Sequence, residues 1–129
     1  MKPLRKRLID RLDKIVSIYV RTIYSKNGYC RCYTCEAKGL IKEMDCGHFV
    51  KRGYMNTRWD LDNLRVQCTR CNRFLDGNQD EFIARLSLEM GRDMGIELNK
   101  KKHTIKQWSI KELEELEIKF KTLYNSIQA

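Results

Sequence analysis

Cys32-Tyr33-Thr34-Cys35 and Cys68-Thr69-Arg70-Cys71 frame 32 intervening residues in a chain of 129. Each pair can place two soft sulfurs about 2.3 Å from one metal ion, and two pairs complete a tetrahedron. Zinc asks for nothing more than that geometry, so the reading is a closed structural zinc site held by Cys32, Cys35, Cys68 and Cys71. Six cysteines also allow three disulfides. Disulfides belong to oxidising compartments, however, and the basic N-terminus has no apolar core of a secretory signal. The interval between the pairs exceeds that of a minimal zinc ribbon. A folded insert must therefore sit between them, stapled at its base by the metal. Cys30 and Cys46 lie outside the pairing. Cys30 is read as a strand residue and Cys46 as a small buried neighbour.

Outward from this frame the chain reads as helix. Leu4, Leu8, Leu12, Ile15, Val16, Tyr19, Val20 and Ile23 recur at helical spacing over 4–25, with Lys and Arg opposite. Residues 29–35 read as a strand entering the first knuckle, and 40–50 as a hairpin or strand ending at His48-Phe49-Val50. Residues 51–62 read as a loop and 63–68 as the return to the second knuckle. A short helix is expected from Cys71-Asn72 to about Gly77. A second amphipathic helix is expected over 79–94, ended by Gly95, then a polar connection over 96–107 containing His103, a solvated residue. The last helix covers 109–127, where Ser109 and Glu112 form a capping box. The expected organisation is a basic N-terminal helix (1–28), a zinc-stapled core (29–78) and a C-terminal helical region (79–129).

The net charge of +9 is uneven. Residues 1–29 carry eight Lys/Arg against two Asp, residues 30–78 nine against six, and residues 79–129 nine against nine. Such a balance favours an acidic partner, nucleic acid first. No apolar run approaches the roughly 20 residues of a membrane span. The cytoplasm is the expected location, that of the host if the chain is phage-encoded.

The insert holds Asp45-Cys46-Gly47-His48, followed by Asn63 and by Asn72 directly after Cys71. His, Asn and Asn in this order between two Cys-x-x-Cys pairs resemble the HNH, or ββα-metal, nuclease superfamily, and the zinc frame is similar to that of phage endonuclease VII. The fold so implied is α+β, a zinc-stapled ββα-metal (HNH-like) core flanked by an N-terminal helix and C-terminal helices. Gly28-Tyr29, Cys46-Gly47-His48-Phe49, Thr57-Arg58-Trp59-Asp60-x-x-Asn63, Gln67-Cys68-x-x-Cys71-Asn72, Gly77-Asn78 and Ser17-x-x-x-Arg21 resemble the phage NinG/Rap recombination endonuclease family. That resemblance covers most of the chain. It implies metal-dependent hydrolysis of DNA phosphodiesters in branched double-stranded DNA, such as Holliday junctions and D-loops.

The chemistry has identifiable parts. His48 is the expected general base, since an imidazole titrates near neutrality. A hard divalent ion, Mg²⁺ or Mn²⁺, needs oxygen ligands, for which Asn72 and Asp45 are the candidates. Asp45 stands three residues before His48, so a regular strand would point the two to opposite faces. Asp76, one helical turn after Asn72, is the alternative ligand. Asn63 is expected to clamp the loop through backbone hydrogen bonds. Arg58 is expected to hold the scissile phosphate. Lys51, Arg52, Arg65, Arg70 and Arg73, with Arg5, Lys6 and Arg7 on the first helix, are expected to contact DNA. Trp59 is read as core; Tyr54 either stacks on an unpaired base or packs on its own hairpin. Cutting two strands of a junction suggests a homodimer, with the near-neutral C-terminal helices as its interface. Two alternatives stay open: an HNH nicking endonuclease of other specificity, and a non-catalytic zinc-containing DNA-binding module.

Overall fold

A computed structural model describes residues 1–128. Helix α1 spans Leu4–Ile23, strands β1 and β2 span Tyr29–Arg31 and Lys38–Leu40, and strands β3 and β4 span Met44–His48 and Leu64–Cys68. A wide helical turn, Arg70–Phe74, follows β4. Then come α2 (Gln79–Met90), α3 (Met94–Lys102) and α4 (Ile110–Gln128). The chain is α+β, with two separate antiparallel pairs, β1–β2 and β3–β4.

The β3–β4 pair is regular, Met44 opposite Cys68 through to His48 opposite Leu64, with no bulge. Alternation therefore sends Met44, Cys46 and His48 to one face and Asp45 and Gly47 to the other. The first face meets α1. Leu8, Leu12, Val16 and Val20 recur every four residues, which gives α1 one apolar stripe. They are buried with Met44, Leu64, Val66, Trp59 and the α4 residues Leu113 and Phe120. Arg5 donates to the Trp108 carbonyl, Arg11 pairs with Glu117, and Tyr19 meets Phe120 edge-on. The partners ascend together in sequence, so α1 and α4 run side by side in the same direction. The apolar face of α4, one of the C-terminal helices expected to serve a dimer, is thus occupied within the chain. A second cluster, Val50, Phe82, Leu86, Met94 and Leu98, lies under α2 and α3.

The C-terminal half departs from the expected boundaries. The helix expected over 79–94 stops at Met90, where Gly91 takes φ +69, a conformation that favours glycine. The expected polar connection then begins with α3. Asp93 caps it by accepting from Ile96 N, and Met94 and Leu98, one turn apart, are fully buried. Four lysines and a histidine over 100–106 hide this short helix from a reading by composition. The capping box of α4 is present, with Ser109 and Glu112 bonded reciprocally at 3.0 Å.

Candidate functional site

Strands β1 and β4 deliver the two knuckles to one place. In the first, Cys32 N donates to Ala37 O and Glu36 N to Cys32 O, which turns the chain tightly. In the second, Cys71 N donates to Cys68 Sγ at 3.4 Å. The four sulfurs of Cys32, Cys35, Cys68 and Cys71 lie within 4.8 Å of one another, and Cys35 and Cys68 are 3.6 Å apart. A tetrahedron with ~2.3 Å metal–sulfur bonds has edges of about 3.8 Å. The geometry thus fits one metal ion held by four thiolates, as a structural zinc would be. Burial opposes ionisation of Cys32, but hydrogen bonds from Thr34 and the knuckle backbone bring its pKa to about 6. Burial pushes Cys35 up to about 12. Sulfurs this close ionise together only around a cation.

Beside the knuckles, a cleft of about 750 Å³ follows the edge of β3 that no strand pairs. Asp13, Ser17 and Arg21 of α1 form one wall, and Asn72, Arg73 and Asp76 the other. A groove along a strand edge collects side chains from both faces. That is how His48 and Asp45 reach the same cleft although the strand points them apart. His48 Nε2 lies 3.0 Å from the Arg58 carbonyl. A carbonyl only accepts, so Nε2 carries the proton and Nδ1 keeps the basic lone pair. Burial pushes the His48 pKa below its usual 6.5, which keeps the ring neutral near pH 7. Across the strand, Asp45 accepts from Asn72 Nδ2 at 3.0 Å and from Arg73 Nε and Nη2, each at 3.0 Å.

A family model described as the bacteriophage lambda NinG protein matches residues 1–129. The chain belongs to the NinG family. No curated protein and no solved structure matches it.

In this NinG-family chain the sequence-predicted residues fall into distinct groups. Asn63 is fully buried and clamps the loop from three sides. Its Oδ1 accepts from Val50 N at 2.7 Å, and its Nδ2 donates to Val50 O at 3.0 Å and Thr57 O at 3.1 Å. Lys51, Arg52 and Arg73 are exposed at the cleft, joined by Lys42. Arg70 is exposed away from it, as are Arg5, Lys6 and Arg7, and Lys6 pairs with Asp10 at 3.2 Å.

Three expectations are corrected. Arg65 is no surface cation. Its side chain is 4% exposed, ion-paired with Glu89 and bonded to the carbonyls of Leu61 and Leu64. It shares a face of β4 with Gln67 and reaches α2, a destination that its sequence neighbours do not reveal. Arg58 is not free to take a phosphate. Its guanidinium grips Asp13 at 3.1 and 2.6 Å, and its backbone, not its side chain, serves His48. Asp76 does not sit one helical turn beyond Asn72. The wide turn ends at Phe74, Asp76 adopts φ +49, and its carboxylate pairs with Lys51 at 3.1 Å.

The roles of two residues escaped the sequence reading. Asp13 gathers Arg58, Trp59 Nε1 at 2.9 Å and Arg52 at 3.6 Å, and so fixes the loop that supplies the Arg58 carbonyl. Its only signal was an acid within a basic helix. Gln67 is fully buried, and its Nε2 donates to Thr34 Oγ1 at 3.1 Å and Gly77 O at 2.7 Å, tying the first knuckle to the end of the helical turn. Its Oε1 lies on Gly47, where an added Cβ would come within 2.1 Å of it. Glycine within a strand is the sequence sign of such an approach.

Proposed function

We propose that this NinG-family protein is a metal-dependent endodeoxyribonuclease that cuts branched double-stranded DNA, with Holliday junctions and D-loops as its substrate class. The observation carrying the reading is His48, which lines the cleft with its Nε2 on the Arg58 carbonyl, a contact that leaves Nδ1 to be the basic nitrogen. A base placed so takes the proton of an attacking water. Lys42, Lys51, Arg52 and Arg73 at the cleft suit the flanking phosphates. Asn63 and Asp13 position the loop and keep the Arg58 carbonyl in place.

Asp45 and Asn72 offer a carboxylate and an amide oxygen for a divalent ion, Mg²⁺ or Mn²⁺. That ion would supply charge to the phosphate and to the leaving oxygen. The donor set fits on two conditions. Arg73, whose side chain is 65% exposed, must leave Asp45, and the Asn72 amide must turn its oxygen towards the cleft. The Arg73–Asp45 pair also favours a second reading, a zinc-containing DNA-binding module without hydrolysis, in which Arg73 is the permanent cation. An HNH nicking nuclease of other specificity would use the same residues on linear DNA. A dimer that cuts both strands of a junction would need a surface other than the apolar face of α4.

The test offers zinc-loaded protein, with Mg²⁺ or Mn²⁺, to four-way junctions and to linear duplexes of matched sequence. Cuts confined to junctions, and lost in His48→Ala, support the proposal. Equal cutting of both substrates selects the nicking reading. Junction binding without cutting under either ion selects the binding module.

A further inference from the structure

The hairpin has a second edge, and the nuclease reading makes no use of it. A cavity of about 680 Å³ opens there, lined by Tyr24 from the end of α1, Tyr29 from β1, Tyr33 from the first knuckle, and Arg65 and Val66 from β4. Tyr24 and Tyr29 are 45% and 44% exposed, more than core packing explains. The Arg65 guanidinium lies 5.5 Å from the ring centres of both Tyr24 and Tyr33, and Lys38 Nζ lies 4.6 Å from that of Tyr29. Lys26, Arg31 and Lys38 stand exposed at the rim, and no carboxylate lines the cavity among the described residues. Glu89 of α2 is not part of the lining; it pairs with Arg65 and accepts from the Tyr33 hydroxyl at 2.6 Å, so Tyr24 and Tyr29 are the rings left to a ligand.

We infer that this cavity is a second nucleic-acid site that takes an unpaired base of single-stranded DNA. The occupant must satisfy two demands at once. It must be flat, to lie on tyrosine rings, and anionic, to meet Lys26, Arg31 and Lys38. A nucleotide is both, because its base stacks and its phosphates pair with the rim. The volume falls within the usual range of small-ligand pockets, about 300–1,000 Å³. Paired bases hide their faces in the stack, so the cavity selects bases that are already free. Arg65 thereby acquires a role at the floor of a base pocket, in place of the phosphate contact expected of it. If the cleft at β3 cuts branched DNA, as proposed above, this site at the β4 edge would hold a single strand leaving the branch; its own existence does not depend on cutting.

The test measures binding of the zinc-loaded full chain to fluorescein-labelled oligothymidylate and to an abasic strand with the same number of phosphates. The wild type should prefer the base-bearing strand roughly tenfold or more, as expected for stacking on an aromatic platform. Tyr24→Ala with Tyr29→Ala should bring that preference below about twofold, while Tyr24→Phe with Tyr29→Phe should keep it, because stacking needs the ring and not the hydroxyl. Both tyrosines are exposed, so zinc content and the unfolding transition report whether the alanine variant is intact. A wild type that binds both strands alike overturns the inference, as does an alanine variant that keeps the preference. Competition by oligoglutamate as strong as that by oligothymidylate also overturns it, in favour of an acidic peptide. Junction cutting by the alanine variant is read separately. Its survival with lost base preference separates the two sites, and absence of cutting in the wild type counts against the nuclease reading alone.

Discussion

Replacing Asn63 with alanine tests the frame of the site more directly than any catalytic substitution. The side chain is fully buried and makes three hydrogen bonds, one from Val50 N and two to the carbonyls of Val50 and Thr57. Asn63→Ala strands the N–H and the carbonyl of Val50 in the interior, while the Thr57 carbonyl keeps Asp60 N at 3.2 Å. A buried polar group left without its partner costs about 1–3 kcal/mol, carbonyls at the low end. Two such groups, partly relieved by water entering the space, give about 2–3 kcal/mol. Domains of this size are commonly stable by only about 5–15 kcal/mol, so the loss is severe but measurable. It corresponds to a fall in Tm of roughly 8–12 °C. The assay is urea and thermal unfolding of zinc-loaded protein. Asn63→Asp supplies the control on mechanism. Its carboxylate still accepts from Val50 N but faces two carbonyl oxygens, so its folded pKa rises above the unfolded value of about 3.9. Its deficit relative to wild type should therefore widen as pH rises from about 5.5 to 8. A loss below about 1 kcal/mol for Asn63→Ala would refute the clamp, because the three bonds would then contribute no more than exposed ones.

Other expectations follow from the same geometry. The protein should carry one zinc per chain, and strong chelation should collapse its unfolding transition; removal of zinc with an unchanged transition refutes the frame. Burial pushes the His48 pKa below 6.5, so the unfolded chain takes up that proton first, and this contribution to stability is present above pH 6.5 and lost as pH falls towards the folded pKa. The urea midpoint of wild type should therefore fall more between pH 7.5 and 6 than that of His48→Gln, and parallel changes would argue against a buried neutral imidazole. Arg65→Met should lower stability by about 1–3 kcal/mol, because it strands the Leu64 carbonyl and leaves Glu89 with the Tyr33 hydroxyl alone, while the Leu61 carbonyl keeps Leu64 N. Its effect on the salt dependence of duplex binding should be nil, whereas exposed Arg52→Ala should reduce the log–log salt slope by roughly 1. The opposite pattern would return Arg65 to the phosphate contacts.

The zinc frame was legible because it is local chemistry. A Cys-x-x-Cys turn brings its two sulfurs together through four consecutive residues, and only the meeting of the two turns needed the fold. The same holds for the capping box at Ser109 and Glu112, and for α1, whose stripe repeats within a single helix. Asn63 was legible for a related reason, since an asparagine ending a polar loop has few fates other than bonding its backbone. The arginines were not legible. Arg58, Arg65 and Arg73 look alike in sequence, yet one grips Asp13, 45 residues away, one is buried on Glu89, 24 residues away, and one stands at the cleft on Asp45. A cation's role depends on which carboxylate the fold brings to it, and that is a property of distance in space.

The two edges of one hairpin mark the same division. Sequence by itself read a hairpin or strand over 40–50 and a return to the second knuckle over 63–68, and it put Asp45 and His48 on opposite faces of a regular strand. It even made that opposition an objection to their working together. The tertiary structure decided that β3 has no neighbour on its outer side, so one groove gathers both faces. It also decided that three tyrosines from α1, β1 and the first knuckle meet at the β4 edge. Alternation along a strand follows from backbone geometry and needs only the order of residues. Whether a strand edge is covered or open follows from which segments pack beside it, and no residue within the strand records that.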